Sequence, residues 1–168
     1  LRNFDGLLSV YFVNLNSGAI LHRNWLRSEV LSSEPGVAFS GMSILKITLL
    51  AEFYRQVSND ALPHELDLVS KTVTESSNWT SNILIDWIGD LDTSRGLQRL
   101  NESYEILGLH STFIGGLYDT KELPGFRHTP ANTRTDINTQ PDAYMQTTAA
   151  DMGRLLQGIY SCAHSGSG

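Results

Sequence analysis

Apolar and polar residues follow one another in this chain with a period that changes several times. Leu7 to Val13 (LLSVYFV) is a short run rich in β-branched and aromatic residues, and it stops at Asn14-Leu15-Asn16-Ser17-Gly18 before Ala19 to His22 can return. That run, turn and run predict a β-hairpin over residues 6–23. Beyond a polar stretch through Glu34-Pro35-Gly36 the period becomes helical. Leu45, Leu49, Leu50 and Phe53 share one face of the segment 43–57, which predicts a helix bound for the core.

A helical lobe is expected over 64–108. Pro63 interrupts the pattern, Glu65 to Glu75 reads as a shorter helix, and Asn78 to Ile88 carries an apolar face of Ile83, Leu84, Trp87 and Ile88 closed by Gly89. Asp92 or Thr93 can cap a further helix to Leu107, which Gly108 stops. From 109 to 146 the pattern dissolves into Gly, Pro, Thr, Asn and Asp. A loop of that length in a compact domain is functional or mobile. Thr148-x-x-Asp151 then opens a last helix over 148–163 through Met152, Leu155, Leu156 and Ile159, before a flexible tail of Ser165-Gly166-Ser167-Gly168. Strands followed by helices give an α+β layout. A two-stranded hairpin is not a stable sheet alone, so further strands are expected from outside these residues.

Composition narrows the function. The chain has 168 residues, 40% hydrophobic and 18% charged, with a net charge of −6: enough to bury one core, and without the Lys/Arg cluster that a nucleic acid or anionic membrane needs. A small-molecule or neutral substrate fits better. Cys162 is the single cysteine, read as structural, so neither a disulfide framework nor a Cys-rich zinc site is expected. The five histidines have no metal-ligand spacing, and no apolar run reaches the ~20 residues of a membrane span. Trp25, Trp79 and Trp87 read as packing residues, with Trp79 placed beside Asn78 where it can line a cleft. Asn78-Trp79-Thr80 and Asn101-Glu102-Ser103 match the glycosylation pattern.

The chemistry begins at Ser43-Ile44-Leu45-Lys46, which sets a hydroxyl at a helix start and an amine one turn later on the same face. A serine hydroxyl is a poor nucleophile until a neighbour takes its proton, and a lysine does this when burial lowers its pKa. Free N–H groups of the first turn can also face a developing oxyanion. Alone the tetrapeptide is a weak signal: with 3 lysines and 18 serines in the chain, ~0.3 matches arise by chance, and a capping serine before a snorkelling lysine gives the same letters.

Context strengthens it. Phe39-Ser40-Gly41-Met42 followed by Ser43 to Leu50 resembles the nucleophile helix of class A β-lactamases and penicillin-binding proteins. Ser76-Ser77-Asn78-Trp79-Thr80-Ser81-Asn82 resembles that superfamily's Ser-Asp-Asn segment, and Thr147 to Met152 the helix that follows its omega loop. The resemblance implies a β-lactamase/transpeptidase-like α+β fold over most of 1–168, read as its N-terminal two-thirds. It implies Ser43 as nucleophile, Lys46 as base, Ser77 as the proton-shuttling hydroxyl, and Asn78 and Asn82 as substrate-binding amides. The substrate it implies is a β-lactam or an acyl-D-alanyl, peptidoglycan-type amide, taken through an acyl-enzyme without a cofactor. It also implies an extracytoplasmic location and a substrate-binding Lys-x-Gly strand, expected from a C-terminal remainder or a partner chain.

Some features depart from the family. No acid stands in the middle of Ser76-Ser77-Asn78, and the segment 116–146 has no Glu-x-x-x-Asn to activate a deacylating water. Its one glutamate is Glu122, and Asp136 and Asp142 are the other candidates. Slow deacylation is therefore expected. A non-catalytic binding domain that has kept the fold and a Ser-Lys esterase are the alternatives.

Overall fold

The computed structural model describes residues 4–57, 62–120, 126–137 and 139–164. Glu122 and the tail 165–168 lie outside the described residues. Strand β1 (Leu7–Val13) pairs antiparallel with β2 (Ile20–Leu26), Leu7 opposite Leu26 and Val13 opposite Ile20. The turn closes on Asn14, whose Oδ1 accepts the N–H groups of Asn16 and Ser17 at 3.0 and 3.1 Å, while Gly18 takes a left-handed φ of 71° that a side chain would disfavour. The predicted hairpin is here three strands. Its second strand continues past 23, and β3 (Glu29–Leu31) adds to it in the order β1-β2-β3. The polar residues around β3 hid it, because Asn24 Nδ2, buried, reaches across to the carbonyls of Ser32 and Ser33 at 2.8 and 3.2 Å.

The helices follow the apolar periods closely. A single 3-10 turn, Met42–Leu45, leads into α1 (Lys46–Gln56), and α2 (Pro63–Thr74), α3 (Asn78–Ile88) and α4 (Thr93–Ile106) complete the lobe. Side chains bond the starts of α2, α3 and α4, whereas α1 continues from the 3-10 turn without such a cap. Glu65 Oε2 accepts the Leu62 N–H at 2.7 Å, Ser77 Oγ that of Thr80 at 3.3 Å, and Asp92 that of Arg95 at 2.9 Å, which settles Asp92 rather than Thr93 as the α4 cap. Leu45 and Leu49 from α1, Ile85 and Ile88 from α3, and Leu100 and Tyr104 from α4 form the main core. Close helix approach depends on Gly96, where a Cβ would lie 2.0 Å from the Ile85 carbonyl oxygen.

The region read as one long loop, 109–146, is more ordered than its composition suggests. Strands β4 (Phe39–Ser40), β5 (Phe113–Ile114) and β6 (Met145–Thr147) form a second small sheet in the order β4-β6-β5. Strands of two or three residues show no alternation, so the sequence pattern could not reveal them. Helix α5 (Ala149–His164) then packs on β1, with Thr148 Oγ1 accepting the Asp151 N–H at 3.0 Å. Gly153 permits the contact, since a Cβ there would lie 2.2 Å from Tyr11 Cδ1. Cys162, expected to be structural, is exposed on α5. No helix among the described residues is long and apolar enough to cross a membrane. The fold class is α+β.

Candidate active site

Strand β4 delivers the chain to Ser43. The Gly41 N–H donates to the Met145 carbonyl at 2.8 Å, tying the turn to β6, and Met42 then adopts a left-handed φ of 43°. Ser43 follows in the 3-10 turn and is exposed, whereas Lys46, three residues on, is 4% exposed. The i, i+3 spacing thus sets an accessible hydroxyl above a buried amine.

Lys46 Nζ has three polar partners, all at the start of α3. It donates to the Ser76 carbonyl, to Ser76 Oγ at 3.1 Å and to Asn78 Oδ1 at 2.6 Å, and it lies 4.9 Å from the centre of the Tyr118 ring. No hydrogen bond joins it to Ser43 Oγ in this arrangement. Burial lowers the Lys46 pKa, and the negative charge of Asp119 opposes that shift. An ammonium has three N–H donors and no acceptor. Loss of one proton leaves a lone pair that can accept from a serine hydroxyl.

Two expected site residues are placed differently. Ser77 does not meet Lys46: its hydroxyl caps α3, and the neighbouring Ser76, in a left-handed turn with φ 52°, presents its Oγ instead. A helix cap and a proton shuttle are competing uses of adjacent hydroxyls, and the start of α3 at Asn78 assigns the cap to Ser77. Asn82, expected to bind substrate, spends both ends of its amide on backbone. Its Nδ2 donates to the Tyr118 carbonyl at 3.0 Å and its Oδ1 accepts the Tyr118 N–H at 2.8 Å. Asn78, half-buried beside Lys46, has its Nδ2 donating to Asp119 Oδ2 at 2.7 Å.

Ser43 stands between two hollows. One, about 340 Å³, is mostly apolar and is lined by Ser43, Lys46 and Ser76 with Ile44, Leu50, Val73, Met152 and Leu156. The other, about 270 Å³, is the more polar of the two and is lined by Ser43, Asn78, Tyr118, Asp119, Asp142 and Tyr144. Asp142 therefore borders the same hollow as the serine, although its Oδ1 already accepts the N–H groups of Tyr144 and Met145 at 2.6 and 3.0 Å. Asp136 is elsewhere, paired with Arg134 at 2.6 Å. Trp79 is exposed and borders neither hollow. Sequence reasoning missed Asp119 and Ser76. An acid directly after Gly115-Gly116-Leu117-Tyr118 was the available sign, since Asp tolerates the left-handed turn that it adopts here, φ 62°. Met42, Ser76 and Asp119 are three of the seven non-glycine left-handed residues among those described, and all border these hollows. Strain of this kind collects where a site over-determines the backbone.

The sequence itself matches the family model described as the Beta-lactamase enzyme family over residues 63–166. The chain belongs to that family. The matched segment holds Ser76, Asn78 and Asp119 and begins after Ser43 and Lys46. Among solved structures, the chain is similar to penicillin-binding protein D2 from Listeria monocytogenes. Against the ampicillin-bound form the identity is 15% and the TM-score 0.48, over 96% of this chain and 62% of that one. Against the cefotaxime-bound form they are 14% and 0.47, over 96% and 63%. This β-lactamase-family chain thus spans under two-thirds of the length of those proteins. No curated protein sequence matches it significantly.

Proposed function

We propose that this chain carries the nucleophilic half of a serine hydrolase site that works through an acyl-enzyme, with Ser43 attacking the carbonyl of a β-lactam or an acyl-D-alanyl-type amide. The observation that carries the reading is the buried Lys46 amine, one turn below the exposed Ser43 and bonded to Ser76 and Asn78. Burial favours the neutral amine. In that state two N–H groups keep the Ser76 carbonyl and Asn78 Oδ1, and the lone pair takes the proton of Ser43 or of Ser76. Ser76 replaces Ser77 as the relay hydroxyl, because it can reverse its bond with Lys46 and pass the proton on. Asn78 retains one amide N–H beyond Asp119 for a substrate carbonyl.

Completion of the site by a Lys-x-Gly strand, from a C-terminal remainder or a partner chain, belongs to the same proposal. The edge of β1 is its candidate seat, for β1 is an outer strand of the first sheet among the described residues. The substrate and an extracytoplasmic location rest on the family resemblance.

The test is a fluorescent penicillin followed by intact mass. A single adduct that Ser43→Ala abolishes supports the reading, and a folded protein without adduct favours the non-catalytic alternative. With the carboxylates of Asp119 and Asp142 already hydrogen-bonded, the adduct should turn over slowly, giving a stoichiometric burst before a slow steady state. Label lost as fast as it forms would contradict that expectation. Turnover of small activated esters without any β-lactam adduct would point to the Ser-Lys esterase.

A further inference from the structure

Asn78 and Asn82 lie four residues apart on one face of α3, and both reach the same turn. Asn82 clasps the Tyr118 backbone at N–H and C=O, and Asn78 bonds the side chain of the next residue, Asp119. The turn so held presents the Tyr118 ring to Lys46 and the Asp119 carboxylate to Asn78. Chemistry fixes the direction of this chain of contacts. A lysine ammonium only donates and a carboxylate only accepts, so the Asn78 amide between them can be oriented in one way, oxygen to Lys46 and nitrogen to Asp119.

We propose that Asp119 is a positioning residue of the reaction assigned to Ser43, locking the Asn78 amide toward Lys46 and placing a fixed negative charge beside the lysine. The role rests on the reading of Lys46 as the base. Among the described residues, the other charged or titratable groups near Lys46 are occupied or neutral. The Tyr104 phenol, from α4, and the Tyr118 phenol are both pushed up by burial and stay un-ionised. Glu52, further along α1, is held by Arg55 and Gln56, Glu75 at the end of α2 faces Lys71, and Asp142 across the polar hollow accepts two backbone N–H groups. Asp119 is therefore the charge that holds the Lys46 proton on against burial. Its removal makes the lysine a base at lower pH.

Asp119→Asn separates charge from geometry, because asparagine tolerates the left-handed turn and its side-chain oxygen can still accept from Asn78. The rate of Ser43 labelling by a fluorescent penicillin, measured from pH 5 to 10, should rise with pH along a curve shifted about 0.5–1 unit lower in this variant. Below the midpoint it should therefore label about three- to tenfold faster than the natural chain, which structural damage alone does not produce. Asp119→Ala, which also frees the Asn78 amide, should label about tenfold more slowly at the plateau. An unshifted profile in Asp119→Asn overturns the proposal. An independent readout uses the few lysines of the chain, Lys46, Lys71 and Lys121. The 13Cε titration of Lys46, assigned with Lys46→Met, should move to lower pH in Asp119→Asn and return in Asp119→Glu. An unmoved resonance overturns the proposal even if Ser43 is never labelled. A moved resonance without labelling of the natural chain sinks instead the reading of Ser43 as nucleophile.

Discussion

The lobe of α1, α3 and α4 and the segment between Leu109 and Thr147 share one apolar core, to which the segment gives Leu109, Ile114, Tyr118 and Met145, but they are held in shape differently. In the lobe, residues at helical spacing bury Leu45, Leu49, Ile85, Ile88 and Leu100 against one another. In the segment, side-chain amides and carboxylates take over the role that strand pairing has in a longer sheet. Asn101 bonds both the carbonyl and the N–H of Ile114, at 2.7 and 3.2 Å, Asn82 does the same for Tyr118, and Asp151 accepts from the Ser111 N–H and the Thr112 hydroxyl at 2.9 and 2.8 Å. Non-directional burial is distributed over many contacts, whereas each of these clasps is a single point of support. The candidate site lies on the seam, with Ser43 and Lys46 leading into the first region and Tyr118 and Asp119 belonging to the second.

Three substitutions sharpen that contrast. Leu49→Ala, at a fully buried position of α1, should cost about 2–5 kcal/mol of global stability in denaturant unfolding. Hydrogen exchange should then accelerate in both regions together. Asn101→Ala leaves the buried Ile114 peptide groups without partners and should cost about 1–3 kcal/mol. Its exchange signature should be local, confined to residues 109–120 while the core of α1 stays protected. A uniform response to Asn101→Ala would mean that the two regions form one cooperative unit.

Asp151→Asn is the smallest effect. Burial raises the Asp151 carboxyl above the usual range, with its hydrogen bonds and Arg154 acting against the rise. Because the folded pKa lies above the unfolded one, the stability tied to the protonated form is complete below the ordinary carboxylate range. It is lost as pH rises through the raised value. Asparagine keeps an acceptor and has no charge to bury, so neutral-pH stability should change by less than about 1 kcal/mol. The stability curve just above the ordinary carboxylate range should flatten. A retained slope there would assign the titration to another carboxylate.

The same contrast explains what could be read in advance. The helix periods, the Gly89 stop and the choice of Asp92 or Thr93 as a cap are local patterns of apolar spacing or short-range bonding, and they appear in the fold within a few residues of their expected bounds. Strands β3 to β6 do not exceed three residues and leave no period. Asn101 reads in the sequence only as part of a glycosylation pattern, yet in the fold it splints β5 from a residue 13 positions away. At the site, the nearness of Ser43 and Lys46 was legible because one helical turn joins them. Which of Ser76 and Ser77 meets the lysine depended on where α3 begins. Asp119 comes to Asn78 across 41 residues of chain, and nothing in its own neighbourhood announces the partner.

Because Asn82 grips the peptide groups of Tyr118 and no side chain of the turn, that hold does not depend on which side chains the neighbouring positions carry. Leu117 and Thr120 both line the polar hollow; Thr120 is exposed and can vary widely, whereas Leu117 packs on the main core and should vary among apolar residues. A saturation library at these two positions, selected for altered labelling by penicillins of different side chain, should therefore return many folded variants. The same library on an Asn82→Ala background should return few.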